Sequence, residues 1–248
     1  SRTSTLEING EEYYITDYNL TSSAVSSTLT FKISSVLDPL TLVDFMLEVP
    51  SNDGVKILQI TDTELMDAAQ TRMAESLSSE QKEEYALKNI YANCFNYIST
   101  LVEQECPDLI ILTGDIVNGS FDDNGSVWLR LIEFMDSLNI PWAPVFGGLD
   151  NESAKGATWQ RAELASAQNC LFKEGTASGN GDYTIGITDN GVIRRVIYML
   201  DSNAGAGINS TQVDWVKEVA SNVALYYGAV PGFVCYNKNS ATDFSSDF

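Results

Sequence analysis

This sequence predicts an α/β fold preceded by a β-rich N-terminal extension, and three observations carry the prediction. Apolar strand candidates alternate with amphipathic helix candidates from residue 55 onward, several of those strands run directly into a carboxylate, and residues 1–50 follow the two-residue period of strands. With 248 residues, 44% of them apolar, the chain can bury a sizeable core as one large domain with an appendage.

In the extension, residues 1–54, Leu6 and Ile8 lead into Asn9-Gly10 and then Tyr13 and Ile15. Asn-Gly between apolar alternations is a hairpin signal, because both central residues of the tight turn need positive φ. A polar Ser/Thr stretch at 21–28 follows. Leu29, Phe31 and Ile33 then alternate, as do Val43, Phe45, Leu47 and Val49, with Pro39 and Pro50 as punctuation. The segment reads as a β extension packed on the domain formed by residues 55–248.

In that domain Val55–Ile60 is a buried-strand candidate ending in Thr61-Asp62. The spacing of Leu87, Ile90, Tyr91, Cys94, Ile98, Leu101 and Val102 predicts one helix over 79–104. Ser78 and Gln81 stand at the reciprocal positions of a capping box, and Pro107 stops the helix. Leu109–Leu112 is a short apolar strand before Gly114-Asp115; residues 126–138 are helical; Trp142–Phe146 is a strand before Gly147-Gly148. A helix over 157–168, strands at 183–187 and 192–200 joined through Asn190-Gly191, a helix over 210–223 and a strand at 232–236 complete the domain. Folds of this kind place their sites at the carboxyl ends of strands, where Asp62, Asp115 and Asp150 fall. Each of the three also serves as an ordinary turn aspartate before a helix.

Composition closes several function classes. Thirty-four acidic residues face 14 basic ones, a net charge of −20, which repels nucleic acid and favours cations and basic partners. The 10 Phe, 4 Trp and 11 Tyr separate the chain from disordered acidic segments. There is no histidine, so any mechanism or metal site that needs imidazole is closed. No apolar run reaches the length of about 18 residues expected of a transmembrane helix. The chain begins Ser-Arg-Thr with no apolar leader region, so a signal peptide, if there was one, is expected to have been removed. Asn-x-Ser/Thr sequons at Asn19, Asn118, Asn124, Asn151 and Asn209 point to a secreted, extracellular glycoprotein. Cys94, Cys106, Cys170 and Cys235 form no CxxC pair, which argues against zinc and redox motifs and leaves the question of disulfides open.

The ordered strand ends resemble the calcineurin-like metallophosphoesterases, in the branch related to purple acid phosphatases. Ile57-Leu-Gln-Ile-Thr-Asp62-Thr-Glu64 is similar to that family's first motif, a strand ending in Asp-x-His. Pro107-Asp-Leu-Ile-Ile-Leu-Thr-Gly114-Asp115 is similar to the second, a strand ending in Gly-Asp. Phe146-Gly147-Gly148-Leu149-Asp150 stands where the family has Gly-Asn-His-Asp/Glu, and Phe233-Val-Cys-Tyr-Asn237 where a strand normally ends in a metal-binding His. Asn169–Gly175, Gly181–Tyr183, Asp201-Ser202 and Gln212–Trp215 continue the likeness across residues 55–240. It implies a two-sheet sandwich flanked by helices.

The departures fall on the ligands. Glu64 replaces a His, Gly148 the Asn ligand, Leu149 the His acid and Asn237 another His, while Asp150 keeps a position whose family role is to support the missing acid. No segment matches the final Gly-His-x-His motif, so one sheet edge is expected to stand open. A dinuclear transition-metal centre takes about six or seven protein ligands with nitrogen among them. Asp62, Glu64, Asp115 and Asn237 are a vestige of such a set. The expectation is therefore a pseudoenzyme without catalytic residues or a required cofactor. It would serve as an extracellular structural or interaction module for a protein partner or for self-association. Two other classes remain: a phosphoric ester hydrolase with a carboxylate-only site, and a module binding Ca2+ or Mg2+, the hard cations suited to oxygen donors. Asn118 and Asn151 lie next to the second and third motifs, where a glycan on either would crowd the old cleft.

Overall fold

A computed structural model describes residues 5–8, 11–22, 27–34, 42–49, 54–66, 75, 77–88, 90–175, 177 and 179–238. The first three strands, β1 (Thr5–Ile8), β2 (Glu11–Ser22) and β3 (Ser27–Ser34), form an antiparallel sheet of their own in the order β1-β2-β3. Ile8 pairs with Glu11, which leaves a two-residue connection at Asn9-Gly10, the predicted hairpin turn, although those two residues themselves lie outside the described set. The polar stretch is partly strand, with Thr21 opposite Thr28 and Ser22 opposite Ser27. β-Branched threonines suit a pleated surface as well as apolar residues do.

The alternation at 43–49 has a different fate. Strand β4 (Phe45–Glu48) runs parallel to β8 (Tyr183–Asp189), pairing Phe45 with Ile185, and forms one edge of a sheet ordered β10-β9-β8-β4. The segment 1–54 thus supplies both a separate small sheet and an edge strand of the larger domain. Asp44 fastens it: its carboxylate accepts the Thr184 N–H at 2.9 Å and pairs with Lys173 at 2.7 Å. Strands β8 and β9 (Val192–Met199) are joined through Asn190 and Gly191, with φ of 51° and 74°, the double positive φ that the Asn-Gly pair predicts.

The other sheet is parallel, ordered β5 (Ile57–Ile60), β6 (Leu109–Thr113) and β7 (Trp142–Val145), with every residue of β6 and β7 buried. Helices α1 (Ser79–Lys88) and α2 (Ile90–Glu105) cover the span where the periodicity predicts helix, and Asn89 between them lies outside the described residues. The capping box forms: Ser78 N–H donates to Gln81 Oε1 at 2.9 Å and Gln81 N–H to Ser78 Oγ at 3.2 Å. Helices α3 (Ser126–Ser137), α4 (Gly156–Ser166) and α5 (Ser210–Tyr227) and strand β10 (Gly232–Cys235) agree with the predicted elements to within a few residues. All four cysteines are free thiols, Cys235 buried and Cys106 exposed.

Period-two alternation on β9 divides the core. Ile197 and Met199 join Tyr183 and Ile185 and the β5-β6-β7 residues in one cluster between the sheets, whereas Val196 and Tyr198 pack with Val216 and Val223 of α5. The result is the two-sheet α/β sandwich with flanking helices. Tyr183 crosses the interior: its fully buried hydroxyl donates to Pro144 O at 2.6 Å, from β8 to β7. Tyr183→Phe is expected to cost about 1–3 kcal/mol, because the buried carbonyl of Pro144 loses its donor. An unchanged urea midpoint would show that this inter-sheet bond contributes nothing.

Candidate functional site

The carboxyl ends of β5, β6, β7, β9 and β10 meet at one end of the sandwich. Beyond β5 and β6 the two chains continue side by side: Asp62 N–H donates to Gly114 O at 3.2 Å, Glu64 N–H to Asp115 O at 2.9 Å and Leu65 N–H to Ile116 O at 2.8 Å. Three acidic residues on this ladder, Asp62, Glu64 and Asp115, have φ of 51°, 41° and 47°. Aspartate visits the left-handed region with some ease and glutamate with less, so this backbone holds strain of the kind found at present or former functional sites.

Glycines let the strand ends approach. A Cβ at Gly114 (φ 77°) would come within 2.6 Å of Asn237 Cβ and 2.8 Å of Gly147 N, so β6, β7 and β10 converge on that residue. A Cβ at Gly147 would lie 2.3 Å from both the backbone nitrogen and Oδ1 of Asp115. Gly114 and Gly147 are therefore required by packing alone, whatever chemistry they serve.

The four predicted metal donors differ in exposure and in partners. Asp62 and Glu64 are exposed, with Asp62 accepting a short hydrogen bond from the neighbouring Thr61 hydroxyl. Asp115 is half-buried, and its Oδ1 accepts the Leu149 N–H at 2.7 Å. Asn237 turns its amide Nδ2 to Thr113 O at 3.0 Å, while its own N–H and that of Lys238 donate to Ser202 Oγ at 3.0 and 2.9 Å. Among the described residues no three Asp, Glu or Cys side chains gather into a group able to hold a metal ion. The donor set does not fit the two-cation centre of the resembling family. Nor does a cleft of about 460 Å³, lined by Val49, Val55, Ile187, Arg194 and Arg195, offer another place for it, since it lies where β8 ends and β9 begins, away from these carboxylates.

Asp150, in the helical turn Leu149–Glu152, is the most deeply placed residue of the old motif. It is fully buried, with Oδ1 accepting the N–H groups of Ile116 and Val117, both at 2.9 Å, and Oδ2 that of Gly147 at 2.8 Å. Burial pushes its carboxyl up to about 7; the charge of Asp115 adds to the rise, and the three N–H donors pull against it. Read from sequence as the supporter of a missing histidine, Asp150 is a staple between the loops after β6 and β7.

A second buried network was not predicted. Gln212, fully buried in the first turn of α5, donates through Nε2 to Asp182 Oδ1 at 2.8 Å and to Asp201 O at 2.9 Å, and its Oε1 accepts from Asn203 Nδ2 at 2.7 Å. Asp201 N–H also donates to Asp182 Oδ1 at 3.0 Å. The legible signal was Asn209-x-x-Gln212, a capping box that the structure forms in full.

Of the sequons, Asn124 is exposed, Asn118 half-buried, and Asn209 the cap of α5. Asn151 is tied in place, Nδ2 to Gly147 O at 2.8 Å and Oδ1 from Asn180 Nδ2 at 2.6 Å. Asn19 lies in β2.

Parallel β-α-β units whose strand ends carry aspartates, closed against a second mixed sheet, define a metallophosphoesterase-like domain. Residues 55–232 match the family model for calcineurin-like phosphoesterases, well over half of the chain, and the chain belongs to that family. It is similar to Phosphatase DCR2 of Saccharomyces cerevisiae, 30% identical over 136 residues, which cover 49% of this chain and 23% of that protein. Probable inactive purple acid phosphatase 28 of Arabidopsis thaliana is 36% identical over 115 residues, 46% of this chain and 27% of its own length. Probable inactive purple acid phosphatase 29 of the same plant is 25% identical over 181 residues, 67% of this chain and 45% of its own. The chain spans less than half the length of each of these relatives.

Proposed function

We propose that this protein is a non-catalytic member of the family, an extracellular structural or interaction module whose partners are another protein or further copies of itself. One observation carries the reading: Gly148, Leu149 and Asn237 stand where the family has ligand and acid side chains, and Asp115 accepts a backbone N–H from Leu149. Two relatives named probable inactive support it. The charge of −20 favours a basic partner over nucleic acid, and no described helix is long and apolar enough to cross a membrane. For self-association, β10 pairs with β9 on one side and with no strand among the described residues on the other, and Phe233 on it is 41% exposed. Exposed Asn124 is the best placed sequon to carry a glycan, with Asn118 and Asn151 at the rim of the old cleft; glycopeptide mass spectrometry of native material reads all three.

The relative named a phosphatase favours a second reading, a hydrolase of phosphoric esters that uses Asp62, Glu64 and Asp115 with Mg2+ or Ca2+. Hydrolysis of an aryl phosphate and an aryl phosphodiester with Mg2+, Mn2+ and Ca2+ separates the two. The expected result is no turnover above buffer and flat calorimetric titrations with each metal. Turnover that disappears in Asp115→Ala would establish the enzyme and end the non-catalytic reading.

A further inference from the structure

We propose that the cleft between the end of β8 and the start of β5 binds a small organic anion, a carboxylate or phosphate group carried on an apolar body. The cleft lies at the opposite end of the sandwich from the old motifs. Val55 precedes β5 and Arg194 and Arg195 stand early in β9, whereas Asp62 and Asp115 follow the ends of β5 and β6. Its volume of about 460 Å³ is within the range of clefts that hold small molecules. Val49 and Ile187, both buried, and Val55 give it an apolar floor. The two arginines stand on its wall, with Thr188 and Asp189 beside them.

A break in the regular pairing of β9 brings both arginines to this place. Neighbours on a regular strand point to opposite faces of the sheet. Here Ile187 pairs with Arg195 and Thr188 with Ile193, so Arg194 is an extra residue in β9, a β-bulge. Bulges re-aim side chains, and these two consecutive guanidinium groups line one cleft. Arg195 Nη1 donates to Arg194 O at 2.8 Å, and Arg194 Nη2 stands 3.3 Å from Asp189 Oδ2. Asp189 is the one carboxylate among the described residues that line the cleft, so two cationic groups face a single anionic one. The carboxylate of Glu48 is engaged on the Asn190 and Gly191 N–H groups and the Thr188 hydroxyl rather than on either arginine. Only 14 residues of the chain are basic, and Arg194-Arg195 is the one place where two of them adjoin. A locally positive cleft on so acidic a protein selects anions. Guanidinium forks match the paired oxygens of carboxylate and phosphate, and the valine and isoleucine floor selects, among anions, one with an apolar body.

The test is an amide NMR titration of the whole chain with hexanoate, set beside 1-hexanol, which has the apolar body alone, and inorganic phosphate, which has the charge alone. Hexanoate is expected to give saturable shifts at Val55, Ile187 and Arg195 by about 10 mM, a concentration that fills a millimolar site. Hexanol and phosphate are each expected to bind about tenfold more weakly or worse. Both arginines are exposed, so the double variant Arg194→Gln/Arg195→Gln is expected to keep the wild-type spectrum elsewhere and to weaken hexanoate about tenfold. The double variant Arg194→Lys/Arg195→Lys keeps the charge without the fork and is expected to fall between the two. Absence of saturable shifts with hexanoate overturns the site. So does hexanoate binding that survives the glutamine pair, or hexanol binding as tightly as hexanoate; phosphate binding as tightly as hexanoate overturns the apolar floor. None of these readouts depends on turnover, so hydrolysis of a phosphoric ester by the wild-type chain would end the non-catalytic reading and leave this site standing.

Discussion

Asp150→Ala lowers the unfolding free energy by about 3–5 kcal/mol, a loss in the range reported for removing one partner of a buried charged group. The substitution strips the N–H groups of Ile116, Val117 and Gly147 of their shared acceptor in a fully buried place. An unsatisfied buried group costs about 1–3 kcal/mol, and partial relaxation of the three together gives the stated total. Since a domain is stable by only about 5–15 kcal/mol, the variant is left marginal. Asp150→Asn retains one acceptor oxygen but presents an amide donor to one of the N–H groups, so it falls between wild type and alanine. Urea unfolding of the three proteins measures the order directly; equal midpoints would show that Asp150 staples nothing.

Stability rises on acidification from pH 7.5 to about 5, contrary to the usual behaviour of salt-bridged proteins. Burial pushes the Asp182 carboxyl up to about 7, against hydrogen bonds from Gln212 and Asp201, and raises Asp201 as well. Asp150 stands at about 7 for the same first reason. A carboxyl whose folded-state pKa exceeds its unfolded value of about 3.9 binds its proton more tightly when folded. Its contribution is fully present below pH 4 and is lost as pH rises toward 7, at up to about 1.4 kcal/mol per pH unit for each such group. The exposed Glu48, lowered chiefly by the Thr188 hydroxyl, and Glu80, lowered chiefly by its own backbone N–H, act in the opposite sense. The net charge of −20 works with the buried acids, because protonation relieves self-repulsion. Calorimetric Tm values at half-unit steps, for wild type and Asp182→Asn, test both sign and source. The variant's curve is expected to be the flatter, and a wild-type Tm that falls steadily from pH 7 to 5 would refute the account.

Local signals in the chain were reliable and long-range ones were not. Asn190-Gly191, the Ser78/Gln81 box and the buried run Leu109–Leu112 depend on neighbours within a few residues, and each formed where the pattern placed it. Strand β4 was legible as a strand but not as a member of the β8 sheet, because its partner stands 140 positions away. The aspartates at the strand ends were identified, but not the main-chain groups they bond. Asp150 meets its partners 33 and 34 residues distant, and Gln212 reaches Asp182 across 30. Residue type announces a carboxylate or an amide; only the fold reveals that its acceptor atoms are consumed by main-chain donors.

The parallel pairing of β4 with β8 has a kinetic consequence. A ribosome adding about 5–20 residues per second needs roughly 7–28 seconds to travel from one strand to the other. Throughout that interval Phe45 and Leu47 have no sheet to join, and closing so large a loop is slow even after Ile185 emerges. Over that interval the nascent chain carries an unpaired apolar strand, which places the β4–β8 seam among the aggregation-exposed steps of folding.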